Sequence, residues 1–192
     1  ALDEYKKSLL SRPDDWSFQY TLGNFYLNRN QPLDALESFE KSHRLQPRAV
    51  PPLVNASMAL ARLGRNSEAE AKLRQALELE SDSATTHFNL GLLLAETGDQ
   101  SAAERHLRSA LEADPDFAEA AFNLSVRVAQ GNNRDGAIRL SWRAFDLRPD
   151  NPRYVYTHAF YLFEAGRFSE SRDVLLQLVD AFPGYSDALG LL

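Results

Sequence analysis

Apolar residues come in two short bursts along this chain, and the pair of bursts returns every 34 residues. With Trp16 as position 1, units begin at residues 16, 50, 84, 118 and 152, and the fifth ends at Tyr185 with no insertion or deletion. Apolar side chains dominate positions 4, 7 and 11 of each unit, then positions 20, 24 and 27–28. Both stretches follow a period near 3.6, which predicts two amphipathic helices per unit. A fixed period of this length marks a repeat architecture, in which each unit packs mainly on its neighbours.

The polar and small positions punctuate the pattern. Position 15 reads Asn30, Gly64, Gly98, Asn132 and Gly166. Gly and Asn adopt the left-handed conformation most cheaply, so the first helix is expected to end there. Ser67 with Glu70, and Ser101 with Glu104, have the spacing of a capping box at the start of the second helix. Position 8 (Gly23, Ser57, Gly91, Ser125, Ala159) and position 20 (Ala35, Ala69, Ala103, Ala137, Ser171) are small and let two helix backbones approach. Counting in steps of 34 from Pro13 gives Pro47, Ser81, Pro115, Pro149 and Pro183, which stop each second helix. Pro51 and Pro152 fall in the first turn of the next helix, where no N–H is missed. Three residues depart from the pattern. Gly136 lies inside a second helix, and Ser141 and His158 stand in apolar columns; all three are expected to be local weak points.

The segment "ATTHFNLGLLLAETGDQSAAERHLRSALEADPDF" (84–117) resembles the tetratricopeptide repeat (TPR), with that family's Leu-Gly, Ala, Leu, Ala and Pro in place. The resemblance extends over all 192 residues. It implies an all-α fold, a right-handed superhelical solenoid of antiparallel helix pairs. The expected organisation is one array over 1–192. Residues 1–15 would be the second helix of a truncated repeat, five full repeats would occupy 16–49, 50–83, 84–117, 118–151 and 152–185, and 186–192 would begin a further helix. The start, "ALDEYKKSLLSRPDD", reads as mid-protein sequence, so a fragment or a processed chain is expected.

Composition narrows the chemistry. The formal charge is −6, which disfavours phosphate backbones and argues against nucleic acid. There is no cysteine, so disulfides and thiolate metal sites are excluded. No apolar run is long enough to insert in a membrane. His43, His87, His106 and His158 lie in different repeats without ligand spacing. "GNNRDG" (131–136) is loosely like a phosphate or calcium loop, but its place at an inter-helix turn accounts for it. Neither a catalytic site nor a metal or cofactor is expected.

Binding is read from the resemblance, which implies that positions 2, 5, 6, 9, 12 and 13 of the first helices face a concave groove. Position 5 holds Tyr20, Val54, Phe88, Phe122 and Tyr156; position 9 holds Asn24, Met58, Leu92, Val126 and Phe160. These rows serve either packing between first helices or an apolar peptide groove. At position 6, Asn55, Asn89 and Asn123 stand in line. An Asn amide can pair with a peptide N–H and C=O together, so the three would form a ladder indifferent to side chains. This resembles the asparagine ladder in the TPR arm of the O-linked N-acetylglucosamine transferase; the alternative is that these residues brace adjacent helices. The carboxylate clamp of TPR co-chaperones is excluded. Asn24 and Asn55 match it, but Tyr20, Thr85 and Asn89 stand where Lys or Arg is needed.

The expected function is a non-catalytic module that binds a peptide or protein segment in its groove. Two alternatives remain. One is the recruiting or regulatory arm of a larger enzyme or multihaem redox protein, since residues 148–175 resemble the TPR tails of bacterial multihaem cytochrome-type proteins, which implies an extracytoplasmic place such as the periplasm. The other is a scaffold self-assembling as a homo-oligomer through uncapped ends, "SDALGLL" lacking a polar capping helix.

Overall fold

This computed structural model describes residues 14–192. The truncated helix expected at 1–15 falls almost wholly outside them. Among the described residues there are eleven helices and no strand. They form two compact units, one running through Ala103 and one from Glu104 onward. The first unit holds α1 (Trp16–Asn28), α2 (Pro32–Leu45), α3 (Val50–Arg62), α4 (Asn66–Leu79), α5 (Ala84–Thr97) and the start of α6 (Gln100–Ala113). The second holds the rest of α6, then α7 (Ala118–Gln130), α8 (Arg134–Leu147), α9 (Pro152–Glu164), α10 (Phe168–Ala181) and α11 (Ser186–Leu191). The helices α1, α3, α5, α7 and α9 begin 34 residues apart, and so do α2, α4, α6, α8 and α10.

The turn within each pair places one residue in the left-handed conformation. Asn30, Gly64, Gly98, Asn132 and Gly166 all have positive φ, between 57° and 97°. In four turns the amide of the next residue reaches back to the helix, from Gln31 to Tyr26 O, Arg65 to Leu60 O, Asn133 to Val128 O and Arg167 to Leu162 O. The left-handed residue's own amide bonds the carbonyl three residues back, as in Asn30 to Leu27 and Gly64 to Ala61. Together these bonds satisfy the carbonyls that the helix end would otherwise leave open.

The second helices start two residues earlier than the capping-box reading placed them. Ser67 and Ser101 lie inside α4 and α6, so no box forms there. The residue before each helix acts instead. Asp99 Oδ1 accepts from the Ala102 amide and Asn133 Oδ1 from the Gly136 amide, both at 2.9 Å. Arg65 and Arg167 offer no acceptor; each makes a paired contact with the carboxylate three residues on, Glu68 or Glu170, at 2.5–2.7 Å. Those carboxylates also sit at the positive end of a helix.

Packing within each unit follows the columns. Ala35, Phe39 and Leu73 are fully buried in the first unit, and Val155, Ala159, Leu175 and Leu178 form a core in the second. Small residues are required where helices of a pair touch. A Cβ on Gly23 would overlap the buried Phe39 ring. Ser171 Oγ donates to Ala159 O at 2.8 Å, a bond only a close approach allows. Gly136, expected to be a weak point, fills the same role: an added Cβ would lie 2.8 Å from Val128 Cγ1 and 2.9 Å from the Asn133 side chain.

The other two departures explain each other. Ser141 on α8 and His158 on α9 are both buried, and Ser141 Oγ lies 3.0 Å from His158 Nδ1. Ser141 Oγ is also 3.0 Å from Ile138 O, so the serine hydroxyl links the imidazole to the helix backbone. Two polar residues in apolar columns thus satisfy one another, which removes most of the penalty for burying either. Burial, and then the nearby Arg167, push the His158 pKa down from 6.5 to about 4, against the opposing pull of Glu170.

Two outcomes are expected. The Gly23→Ala substitution should destabilise the chain by about 1–3 kcal/mol through overpacking, although Ala is the better helix former, and a denaturant melt should show it. His158 is held neutral in the fold but titrates near 6.5 when unfolded. Its contribution is complete above that pH and is lost as pH falls toward about 4, with a slope of at most ~1.4 kcal/mol per pH unit. A Ser141→Leu/His158→Leu double variant should therefore lose less stability than the wild type between those two pH values. Superimposable curves would contradict this.

Candidate functional site

The first-helix faces differ between the two units. In the first unit, Asn55 on α3 donates to Asn24 Oδ1 at 2.6 Å and to the Tyr20 hydroxyl at 3.1 Å, both on α1. Tyr20 also packs on Phe39, with ring centroids 5.9 Å apart. The three residues form a closed polar bridge between neighbouring helices. Val54 is buried, Phe88 and Leu92 are half-buried, and Met58 is 38% exposed. Asn89 has a different partner: its amide donates to Thr85 O of its own helix at 2.8 Å.

In the second unit Asn123 repeats the Asn89 arrangement, donating to Glu119 O at 2.8 Å. Among the described residues, the other N–H and the carbonyl oxygen of each of these two amides have no partner. Phe122 is 5% exposed, so it does not line the surface. Its ring stacks on Tyr154 at 4.8 Å and lies 4.6 Å beneath the Arg153 guanidinium. The aromatic surface is carried by α9 instead. Tyr156 stacks with Phe160 at 6.4 Å and meets Tyr185 at 5.6 Å, and Phe160 is 37% exposed.

Phe160 opens onto a pocket of about 380 Å³ between α7 and α9. Val126, Ala129 and Tyr161 line it with Phe160; Ala137 of α8 adds to the apolar wall, and Arg134 and Glu164 add charge. Val126 and Phe160 stand at position 9, Ala129 at 12, and Gln130 and Glu164 at 13, so the structure gathers here five residues from three of the positions expected to face a groove. Arg134, Ala137 and Tyr161 lie outside that set and were not foreseen. Tyr161 is at position 10, where the other repeats carry Phe25, Ala59, Leu93 and Arg127, a column with no pattern to detect.

A larger cleft of about 780 Å³ lies in the same unit, beside α8 and α10, with Trp142 on its wall. Three of its charged residues are engaged within the chain. Arg167 pairs with Glu170, and Arg143 donates to Pro115 O at 2.5 Å. No group of three or more His, Asp or Glu side chains that could hold a metal ion occurs among the described residues. None of the described helices is long and apolar enough to cross a membrane.

The asparagines should separate on mutation. Asn55→Ala removes two hydrogen bonds between helices, worth about 0.5–1.5 kcal/mol each, and should lower the melting temperature. Asn89→Ala and Asn123→Ala each remove one bond within a helix and introduce a better helix former, so they should leave it nearly unchanged. Thermal melts of the three single variants decide the point, and equal losses would contradict it.

Comparison with known proteins agrees with the helix-pair fold. The tetratricopeptide repeat family model matches residues 54–116. No curated protein matches the chain in sequence. Among solved structures it resembles YrrB, described as a TPR protein with an unusual peptide-binding site, at 18% identity and a TM-score of 0.69, over 97% of this chain and 96% of that one. It resembles PilF of Pseudomonas aeruginosa at 18% identity and a TM-score of 0.82, over 94% of this chain and 82% of that one. MamA from Desulfovibrio magneticus RS-1 aligns at 19% identity and a TM-score of 0.72, over 88% and 96% of the two chains. Residues 54–116 thus match the tetratricopeptide repeat family model, and the helix pairs of α1–α10 are similar in fold to solved tetratricopeptide repeat proteins.

Proposed function

We propose that this chain is a non-catalytic interaction module that holds a peptide segment of a protein partner against the first-helix face of its second unit. The observation that carries the proposal is the apolar pocket between α7 and α9, with a phenylalanine exposed at its mouth. A large aromatic left in water beside a concave apolar surface is the arrangement from which interface anchors are built. Asn123 lies three residues before Val126 on the same face of α7 and has amide groups to spare for a peptide backbone. Tyr156 and Tyr185 extend the apolar surface beyond the pocket. In the first unit Asn89, Met58 and Leu92 offer similar contacts. Tyr20, Asn24 and Asn55 are occupied with each other and serve there as a brace. The likeness in fold to YrrB, with its peptide-binding site, favours the same class of ligand.

The test starts from peptides selected on the intact chain from a phage-displayed library and made synthetically. Phe160→Ala should weaken a selected peptide by roughly 10- to 100-fold, about 1.4–2.8 kcal/mol, with an unchanged melting temperature. Asn123→Ala should weaken it less, through one or two lost backbone bonds. Undiminished affinity in both variants would remove the second-unit face from consideration.

A further inference from the structure

We infer that the cleft beside α8 and α10 binds a small neutral aromatic molecule that carries an N–H or O–H donor, with the donor directed to His158. This site is separate from the peptide face proposed above and shares no lining residue with the pocket between α7 and α9. Two departures from the repeat pattern meet in it. Position 7 holds Leu22, Ala56, Leu90 and Leu124 before His158, and position 25 holds Glu40, Arg74 and Arg108 before Trp142 and Leu176. His158 and Trp142 both line the cleft, together with the apolar Ile138 and Leu162. Trp142 is 51% exposed and stands where the three preceding repeats carry a charge. Breaks of this kind in an otherwise consistent pattern concentrate at functional sites.

The hydrogen bonds fix what His158 presents. Ser141 Oγ lies 3.0 Å from both Ile138 O and His158 Nδ1. The carbonyl can only accept, so it takes the single hydroxyl hydrogen, and Nδ1–H donates to Oγ. Burial, and then Arg167, lower the His158 pKa to about 4, so the ring is neutral at ordinary pH. Nε2 of that neutral ring is an acceptor. Ser141 is the one hydrogen-bond partner of His158 among the described residues. Among those residues only His43 Nδ1 is both sealed from solvent and without a partner. His158 Nε2 therefore reaches open space although the residue is only 6% exposed, and the cleft is the space that His158 lines. Two arginines of the cleft are committed elsewhere, Arg167 to Glu170 and Arg143 to Pro115 O. A bare acceptor at the base of a cleft is satisfied by a donor that enters it. The exposed indole of Trp142 favours an aromatic ring as the body of that ligand. Three acidic and three basic side chains line the cleft, so their charges offset and favour a neutral ligand over an ion. A space of about 780 Å³ has the size of a small-molecule site.

The experiment titrates the intact chain at neutral pH with indole and with N-methylindole, which keeps the ring and lacks the donor. The His158 ring nitrogens are followed by long-range proton–nitrogen NMR. Before ligand is added, the spectrum should show Nδ1 protonated and Nε2 bare. Indole should move the Nε2 resonance toward its hydrogen-bonded position. N-methylindole should leave that resonance in place and bind roughly 5-fold more weakly or worse. Two variants restore what other repeats carry at these positions: Trp142→Arg, as in Arg74 and Arg108, and His158→Leu, as in Leu22, Leu90 and Leu124. Each should melt cooperatively and bind indole more weakly by a similar factor, and Trp142→Arg, at an exposed position, decides the matter if His158→Leu does not fold. Equal affinity for the two probes would mean that water alone satisfies Nε2, and would overturn the inference. So would the opposite tautomer, an Nε2 resonance indifferent to indole, or undiminished affinity in Trp142→Arg. Binding of N-acetyltryptophanamide without binding of indole would overturn the small-molecule assignment in favour of a protein side chain. None of these outcomes involves Phe160 or Asn123, so the peptide-binding reading stands or falls separately.

Discussion

Two helices of a pair can approach closely only where the side chains between them are small, and that contact governs the rest of this chain. Gly23 lies under the ring of Phe39, Gly136 fits against Val128, and Ala159 accepts a hydrogen bond from Ser171 across the gap. Once the backbones are this near, the turn joining them has little freedom. It must reverse within a few residues, and a left-handed residue with two back-reaching amide bonds does so. Five turns meet the requirement with Gly or Asn at the same position. The constant helix starts follow from the constant turn.

This explains which features were legible in the sequence. The helix pairs, their period and the turn residues were visible because each depends on one column at a time: a small residue, an apolar residue, or one tolerant of positive φ. The start of the second helix was displaced by two residues because the capping-box spacing can be met by a serine already inside the helix. In α4 the charge pair of Arg65 with Glu68 occupies that end instead. Ser141 and His158 looked like two defects for a related reason. Each is anomalous in its own column, and only their contact across α8 and α9 shows that one accounts for the other.

The candidate site was less legible, since its meaning lies between columns. Asn55, Asn89 and Asn123 are the same residue at the same position, yet Asn55 bridges to α1 while the other two bond their own helices. The difference comes from Asn24, which presents an acceptor at position 9 where the later repeats have Met58, Leu92, Val126 and Phe160. An asparagine with a polar neighbour on the preceding helix becomes a brace. With an apolar neighbour it falls back on its own helix and keeps spare hydrogen-bonding capacity. Phe122 shows the converse: an expected surface aromatic is covered because Arg153 and Tyr154 of the next first helix close over it.

A repeat architecture makes such local differences affordable. Stability is set by the core columns and by each repeat's contact with its neighbours, so the exposed positions of the first helices can change without disturbing the register. Position 9 passes from Asn24 to Phe160 while positions 8 and 20 stay small throughout. The first-helix face of the first unit can therefore carry a polar bridge, and that of the second an aromatic pocket. Arg134 at the start of α8 and Glu164 at the end of α9, each the wrong sign for its helix terminus, belong to this freedom. A helix anchored by its buried face tolerates a few tenths of a kilocalorie per mole of unfavourable dipole interaction.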